Sequence, residues 1–164
     1  MKRRTAAVAT AALLMASTLG LSACSNEIVA QSGEETQSAA NLDLERISSV
    51  LGATGSAMTT ADASLNAQDL SGRVAHGALA YRTAQYALAT ASGQAPQALD
   101  FTPASLAITN SDSWPRAIFN ISASSTTALP VLQVYVQDSA RSDYQLTNYA
   151  RLLGGTQLTL PPVG

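Results

Sequence analysis

The period of the apolar residues changes at Pro103, and that change constrains the fold more than any other feature. Upstream, Leu44, Ile47, Leu51, Met58 and Leu65 fall at three- and four-residue steps or their sums, with Val50 beside them. Asn41 or Asp43 can cap this first helix, and Glu45 suits its first turn. Gly52 and Gly55 are awkward inside it, each costing about 1 kcal/mol relative to alanine. A second helix is expected from Asp69, which can cap Leu70 onward. Gly77 threatens to interrupt it, and Ser92-Gly93 followed by Pro96 stops it.

Downstream of Pro103 the period is two. Leu106 and Ile108 alternate with small residues. Asn110 to Ser113 is a turn cluster, and Trp114 opens a strand that continues through Ser122. Val131 to Gln137 is the clearest strand. It sets Leu132, Val134 and Val136 on one face and Gln133, Tyr135 and Gln137 on the other. Tyr144 to Leu152 reads as a further strand, with a helical turn over Tyr149 to Leu153 as the alternative, and Leu158 and Leu160 as a last short strand. The expected class is α+β: two N-terminal helices packed on an antiparallel meander of about four to five strands.

A separate organisation precedes this domain. Lys2, Arg3 and Arg4 are followed by an Ala-rich apolar run from Ala6 to Leu21, the pattern of an export signal. The run is weak for a spanning helix, which wants about 20 strongly apolar residues. Ordinary cleavage before Cys24 would put Leu21 three places ahead of the cut, where a small residue belongs. Leu21-Ser22-Ala23-Cys24 instead resembles the lipid-attachment box of bacterial lipoproteins, and Cys24 is the chain's single cysteine. The resemblance implies removal of residues 1–23, a diacylglyceryl thioether on Cys24, and attachment to the extracytoplasmic face of the cell membrane. Arg3-Arg4 raises twin-arginine export, but no surrounding motif supports it, and the general route is favoured.

Residues 24–41 are polar and small, with only Ile28 and Val29 bulky, and read as a flexible tether. Residues 42–164 form the α+β domain. Beyond Cys24 the chain has no lysine; six arginines stand against eleven acidic residues, a net charge of −5. The lipid bilayer is therefore expected to be engaged through the acylated Cys24 and not through the acidic body. Nucleic acid is an unsuitable partner for such a surface. A single cysteine leaves no intramolecular disulfide, so the apolar core must hold the domain.

No residue pattern in the domain carries chemistry. Metal-ligand spacing, a phosphate-binding glycine loop and a Gly-x-Ser-x-Gly elbow are all missing, so no cofactor, no metal and no catalytic residue is expected. His76 is the single histidine and has no partner motif. Asp138 and Asp143 flank Arg141 in a connector that reads as a solvated turn with a local ion pair. Trp114-Pro115-Arg116 is the most suggestive surface feature, because Trp and Arg predominate at binding hot spots. Trp114 covering the core edge is the plainer alternative. Arg82, among apolar neighbours, suits an acidic group or a local pair, and Tyr86 lies one turn on.

Several segments in order resemble a family of actinobacterial lipoproteins that carry a domain of unknown function. They are Leu70-Ser71-Gly72-Arg73-Val74-Ala75-His76-Gly77-Ala78-Leu79, then Arg82 and Tyr86-Ala87-Leu88, then Trp114-Pro115-Arg116, Gln137-Asp138-Ser139-Ala140-Arg141 and Tyr144-Gln145-Leu146. The resemblance spans residues 42–162. It implies no activity and supplies no functional residue. Members of that family are longer, so truncation of this chain is an expectation. The helix-then-sheet order is similar to the first half of cone-shaped nuclear-transport-factor-like or cystatin-like folds, which host many functions.

Two functions follow as expectations. The favoured one is a non-enzymatic envelope binding or scaffolding module that meets another envelope protein near Trp114 and Arg116. The alternative is a small-molecule or enzymatic site in a cavity between helices and sheet, lined by Tyr81, Arg82, Tyr86 and Tyr135.

Overall fold

Helix α1 runs Leu44–Ser64 and begins where the sequence places a cap: the Asp43 side chain accepts a hydrogen bond from the Arg46 N–H at 2.7 Å. This computed structural model describes residues 42–124, 129–156 and 158. The leader, Cys24 and the tether lie outside the described residues, as does most of the strand expected around Leu158 and Leu160.

Ile47, Leu51, Thr54, Met58 and Ala61 form the buried stripe of α1. Leu44, expected on that stripe, is exposed instead. Thr54 belongs to the stripe because its hydroxyl is satisfied within the helix, donating to the Val50 carbonyl at 3.0 Å. The two glycines of α1 separate on inspection. A Cβ at Gly55 would sit 3.2 Å from the Phe101 ring, so Gly55 permits a close approach. A Cβ at Gly52 would meet nothing within 4 Å. Gly52→Ala should therefore stabilise the domain by about 0.5–1 kcal/mol. Chemical denaturation would read this as a raised midpoint at unchanged slope; an unchanged or lowered midpoint would count against it.

The second helix starts later than the sequence suggests. Ala67–Leu70 form a 3₁₀ turn, Gly72 adopts φ +80°, and α2 runs His76–Ser92. The reason is tertiary: the backbone around Val74 is used as a strand. Leu146 N–H donates to the Arg73 carbonyl and Ala75 N–H to the Leu146 carbonyl, both at 2.9 Å, forming a parallel bridge. Gly77 does not break α2 but sits in its first turn. A Cβ there would come 2.9 Å from Asn148 Oδ1. Gly93 ends the helix in the left-handed conformation, its N–H donating to the Ala89 carbonyl.

Four antiparallel strands follow in sequential order: β1 Pro103–Ile108, β2 Arg116–Ser122, β3 Val131–Gln137 and β4 Gln145–Arg151. The class is thus α+β, with two α-helices and a four-stranded meander among the described residues. Trp114 and Pro115, joined by a cis peptide bond, precede β2 and do not open it. None of the described helices is long and apolar enough to cross a membrane.

The core joins Ile47, Leu51 and Met58 of α1 and Ala78 and Tyr86 of α2 to Ile118, Tyr135 and Leu146 of the sheet. The face of β3 that enters this core is Val131, Gln133 and Tyr135, while the more apolar Leu132, Val134 and Val136 are half-buried on the other side. A polar network, satisfied except at the buried Asn120 Oδ1, makes this possible. Asn120 Nδ2 donates to Gln133 Oε1 at 2.9 Å, Tyr135 O–H donates to the same oxygen at 3.0 Å, and Gln133 Nε2 donates to the Asp100 carbonyl at 2.7 Å.

Burial pushes the hydroxyls of Tyr86, Tyr135, Tyr144 and Tyr149 above the ordinary tyrosine value of 10.0. The folded state thus disfavours the phenolates. Stability from these groups is fully present below pH 10.0 and is lost as the pH climbs through their folded values. The thermal midpoint should accordingly hold up to about pH 9.5 and fall steeply by about pH 11.5. A flat profile across that window would contradict the assignment of these side chains to the core.

Candidate functional site

Arg82 and Tyr86, two candidate binding residues, are committed to each other and to α1. Arg82 is 0% exposed. Its guanidinium pairs with Asp62 through Nε (2.9 Å to Oδ1) and through a close Nη2 contact to Oδ2. Nη1 donates to Gln85 Oε1 at 2.8 Å and to the Gln97 carbonyl at 3.1 Å. Tyr86 O–H donates to Asp62 Oδ1 at 2.7 Å. Burial is the largest influence and opposes the Arg82 charge, but Asp62, Tyr86 and Tyr149 together hold the guanidinium above its ordinary value. This cluster clamps α2 onto α1.

The four residues expected to line a cavity between helices and sheet make separate contacts. Arg82 and Tyr86 face Asp62. Tyr81 is 55% exposed and stacks at a tilt on Tyr149, with ring centroids 5.5 Å apart. Tyr135 is sealed into the sheet network.

Trp114 and Arg116, by contrast, line an open cleft of ≈ 520 Å³. The meander explains its position. In an antiparallel sheet the start of β2, the end of β3 and the start of β4 fall at one end, where Arg116 pairs with Gln137 and Gln145 with Val136. Tyr144 enters β4 there and is buried. The first turns of α1 close the opposite wall, with Arg46, Ser49, Val50 and Ala53 at helical spacing. Arg73 enters from the segment that bridges to Leu146.

The electrostatics of the cleft run against those of the body. Arg46, Arg73 and Arg116 are half of the six arginines beyond Cys24, and all three line it. Arg46 faces Asp43 at 3.7 Å in an exposed pair, and Arg73 Nη1 lies 3.5 Å from Asp143 Oδ1. Asp143 therefore pairs with Arg73, far away in the sequence, and not with Arg141 as expected from the connector. That turn is closed by Ser139 and Ser142, whose side chains and backbones bond at 2.8–3.1 Å. The Arg116 guanidinium lies 4.3 Å from the Trp114 ring centroid, a stacked cation–π pair. Its Nε is buried with no hydrogen-bond partner. Burial raises the Tyr144 hydroxyl while the nearby Arg116 charge pulls it down.

The sequence thus pointed to two residues of the cleft, Trp114 and Arg116, and missed Arg46, Arg73, Gln137 and Tyr144. Arg46 lies on the helical face that carries Ser49, Val50 and Ala53, the one local signal that could have placed it. Among the described residues no three His, Cys, Asp or Glu side chains converge where they could hold a metal ion. His76 is exposed, with φ +50° at the start of α2. Compared with protein-family models, curated proteins and solved structures, the chain matches none.

Proposed function

We propose that this chain is a bacterial lipoprotein whose α+β body is a non-enzymatic envelope binding module, with the Trp114–Arg116 cleft as its binding site. In this reading residues 1–23 are removed, Cys24 is acylated, residues 24–41 form the tether, and the body works outside the cell membrane. The leader pattern and the lipid-attachment box support the location. The cleft supports the mode of action: three guanidiniums and a Trp–Arg stack converge on one open concavity in an otherwise acidic domain. The order of two helices and a meander supports the likeness to cone-shaped nuclear-transport-factor-like or cystatin-like folds, which by itself implies no function. A small-molecule ligand is the second reading. It is favoured by the cleft volume, which falls within the range of about 300–1,000 Å³ usual for such sites.

In-cell photo-crosslinking tests the placement. A photoreactive residue at Ser49, exposed on the wall of the cleft, should give a discrete adduct, and one at Thr90, exposed on α2, should not. Trp114→Ala in the Ser49 background should remove the adduct. Equal adducts from both positions, or an adduct indifferent to Trp114→Ala, would contradict the assignment.

A further inference from the structure

We propose that the group held by Arg46, Arg73 and Arg116 is a phosphate monoester, carried on a small polar molecule or on a lipid headgroup. The inference rests on the reading of the cleft as the binding site, and it names the chemistry of the ligand.

Charge is the first argument. Three guanidiniums line the cleft against Asp143 in its wall and Asp43 beside Arg46, an excess of one positive charge that favours an anionic ligand. A phosphate monoester, at about −1.5 to −2, also offers more acceptor oxygens to three guanidiniums than a carboxylate does.

Geometry is the second. The Trp114 ring packs against the Arg116 guanidinium, 4.3 Å from its centroid, and holds it in place. Nε is buried away from solvent, so a ligand meets the outer edge of the guanidinium, where Nη1 and Nη2 form the two-pronged edge that fits two oxygens of one phosphate. Arg73 is held against Asp143 and Arg46 against Asp43, so both are positioned while their remaining donors stay open to a ligand.

The surroundings suit a polar carrier. Gln137 Nε2 is spent on the Ser142 carbonyl at 2.6 Å, which leaves its Oε1 to accept from a ligand hydroxyl. Tyr144 adds a phenol to the wall.

The test is calorimetric titration of the full-length protein in detergent, at 0.15 M salt, with matched probes. Glycerol 3-phosphate should bind about tenfold tighter than glycerate, and glycerol should not bind. Arg116→Gln should weaken glycerol 3-phosphate by roughly tenfold to a hundredfold, the worth of a charge-assisted hydrogen bond. Arg46→Gln, at an exposed position where the fold is indifferent, should weaken it about threefold. Asp143→Asn should tighten it about threefold by removing the opposing charge, a gain that a purely structural role for Asp143 does not produce. Dihexanoyl phosphatidic acid separates the two sources. Tighter binding than glycerol 3-phosphate assigns the group to a lipid headgroup, and weaker binding assigns it to a water-soluble ligand.

Equal affinity for glycerate, or phosphate binding unmoved by both arginine substitutions, overturns the proposal. Failure of both phosphate probes while the Ser49 crosslink persists also overturns it, and leaves the binding-module reading standing.

Discussion

Asp62→Ala is expected to cost about 3–5 kcal/mol of folding stability, a large share of the roughly 5–15 kcal/mol that holds a domain together. The substitution strands a fully buried guanidinium. Arg82 would keep Gln85 Oε1 and the Gln97 carbonyl but lose both bonds to its counter-ion. Tyr86 would lose its acceptor in the same step. The reverse change is milder. Arg82→Met leaves an apolar stem in the core, and the Asp62 side chain, 21% exposed, can turn to water while still accepting from Tyr86. Arg82→Met should therefore cost about 1–3 kcal/mol, and pairing it with Asp62→Leu should recover part of the loss. Urea unfolding of the three variants gives the order directly. If Asp62→Ala proves milder than Arg82→Met, Arg82 is not a desolvated charge and the clamp between α1 and α2 is misassigned.

The second large effect concerns location. Cys24→Ser is expected to move the protein from the membrane fraction to the soluble fraction. Each buried methylene contributes about 0.8 kcal/mol, so two acyl chains hold a protein at a bilayer where one holds it only reversibly. Nothing else described in this chain would compensate. The portion beyond Cys24 carries −5 and no lysine, and no described helix is long and apolar enough to span. Fractionation of cells expressing the variant should show at least a tenfold fall in membrane association. Full retention would mean that another element, or a retained leader, supplies the anchor.

What could be read from the sequence was what local chemistry decides. Asp43 as cap, Gly93 as stop and Val131–Gln137 as a strand follow from residues within a turn or two of one another. The start of α2 did not follow. The competing use of residues 73–75 as a strand partner for Leu146 lies more than 70 positions away in the chain. The facing of β3 was equally remote. Alternation offered Leu132, Val134 and Val136 as one face, yet Gln133 and Tyr135 are the side chains turned to the helices. Their polar atoms find Asn120 and Asp100 only once the sheet has formed.

The candidate site divides the same way. Trp114 and Arg116 are two residues apart, and their stack could be suspected from the dipeptide spacing. Arg46, Arg73 and Tyr144 reach the cleft from α1, the bridging segment and β4, and no local pattern links them. Arg82 suited an acidic group or a local pair, and it pairs inside the fold with Asp62, twenty residues earlier. Its charge is spent inside the fold, whereas Arg46, Arg73 and Arg116 line the open cleft.

The intact mass of the mature protein extracted from membranes measures the state of Cys24 directly. The expected species begins at residue 24, lacks Met1 to Ala23, and carries the added mass of a diacylglyceryl group on Cys24, with or without a third acyl chain at the new amino terminus. A mature protein with a free Cys24 thiol, or one that retains its leader, would contradict the proposal that this domain works as a lipid-anchored module.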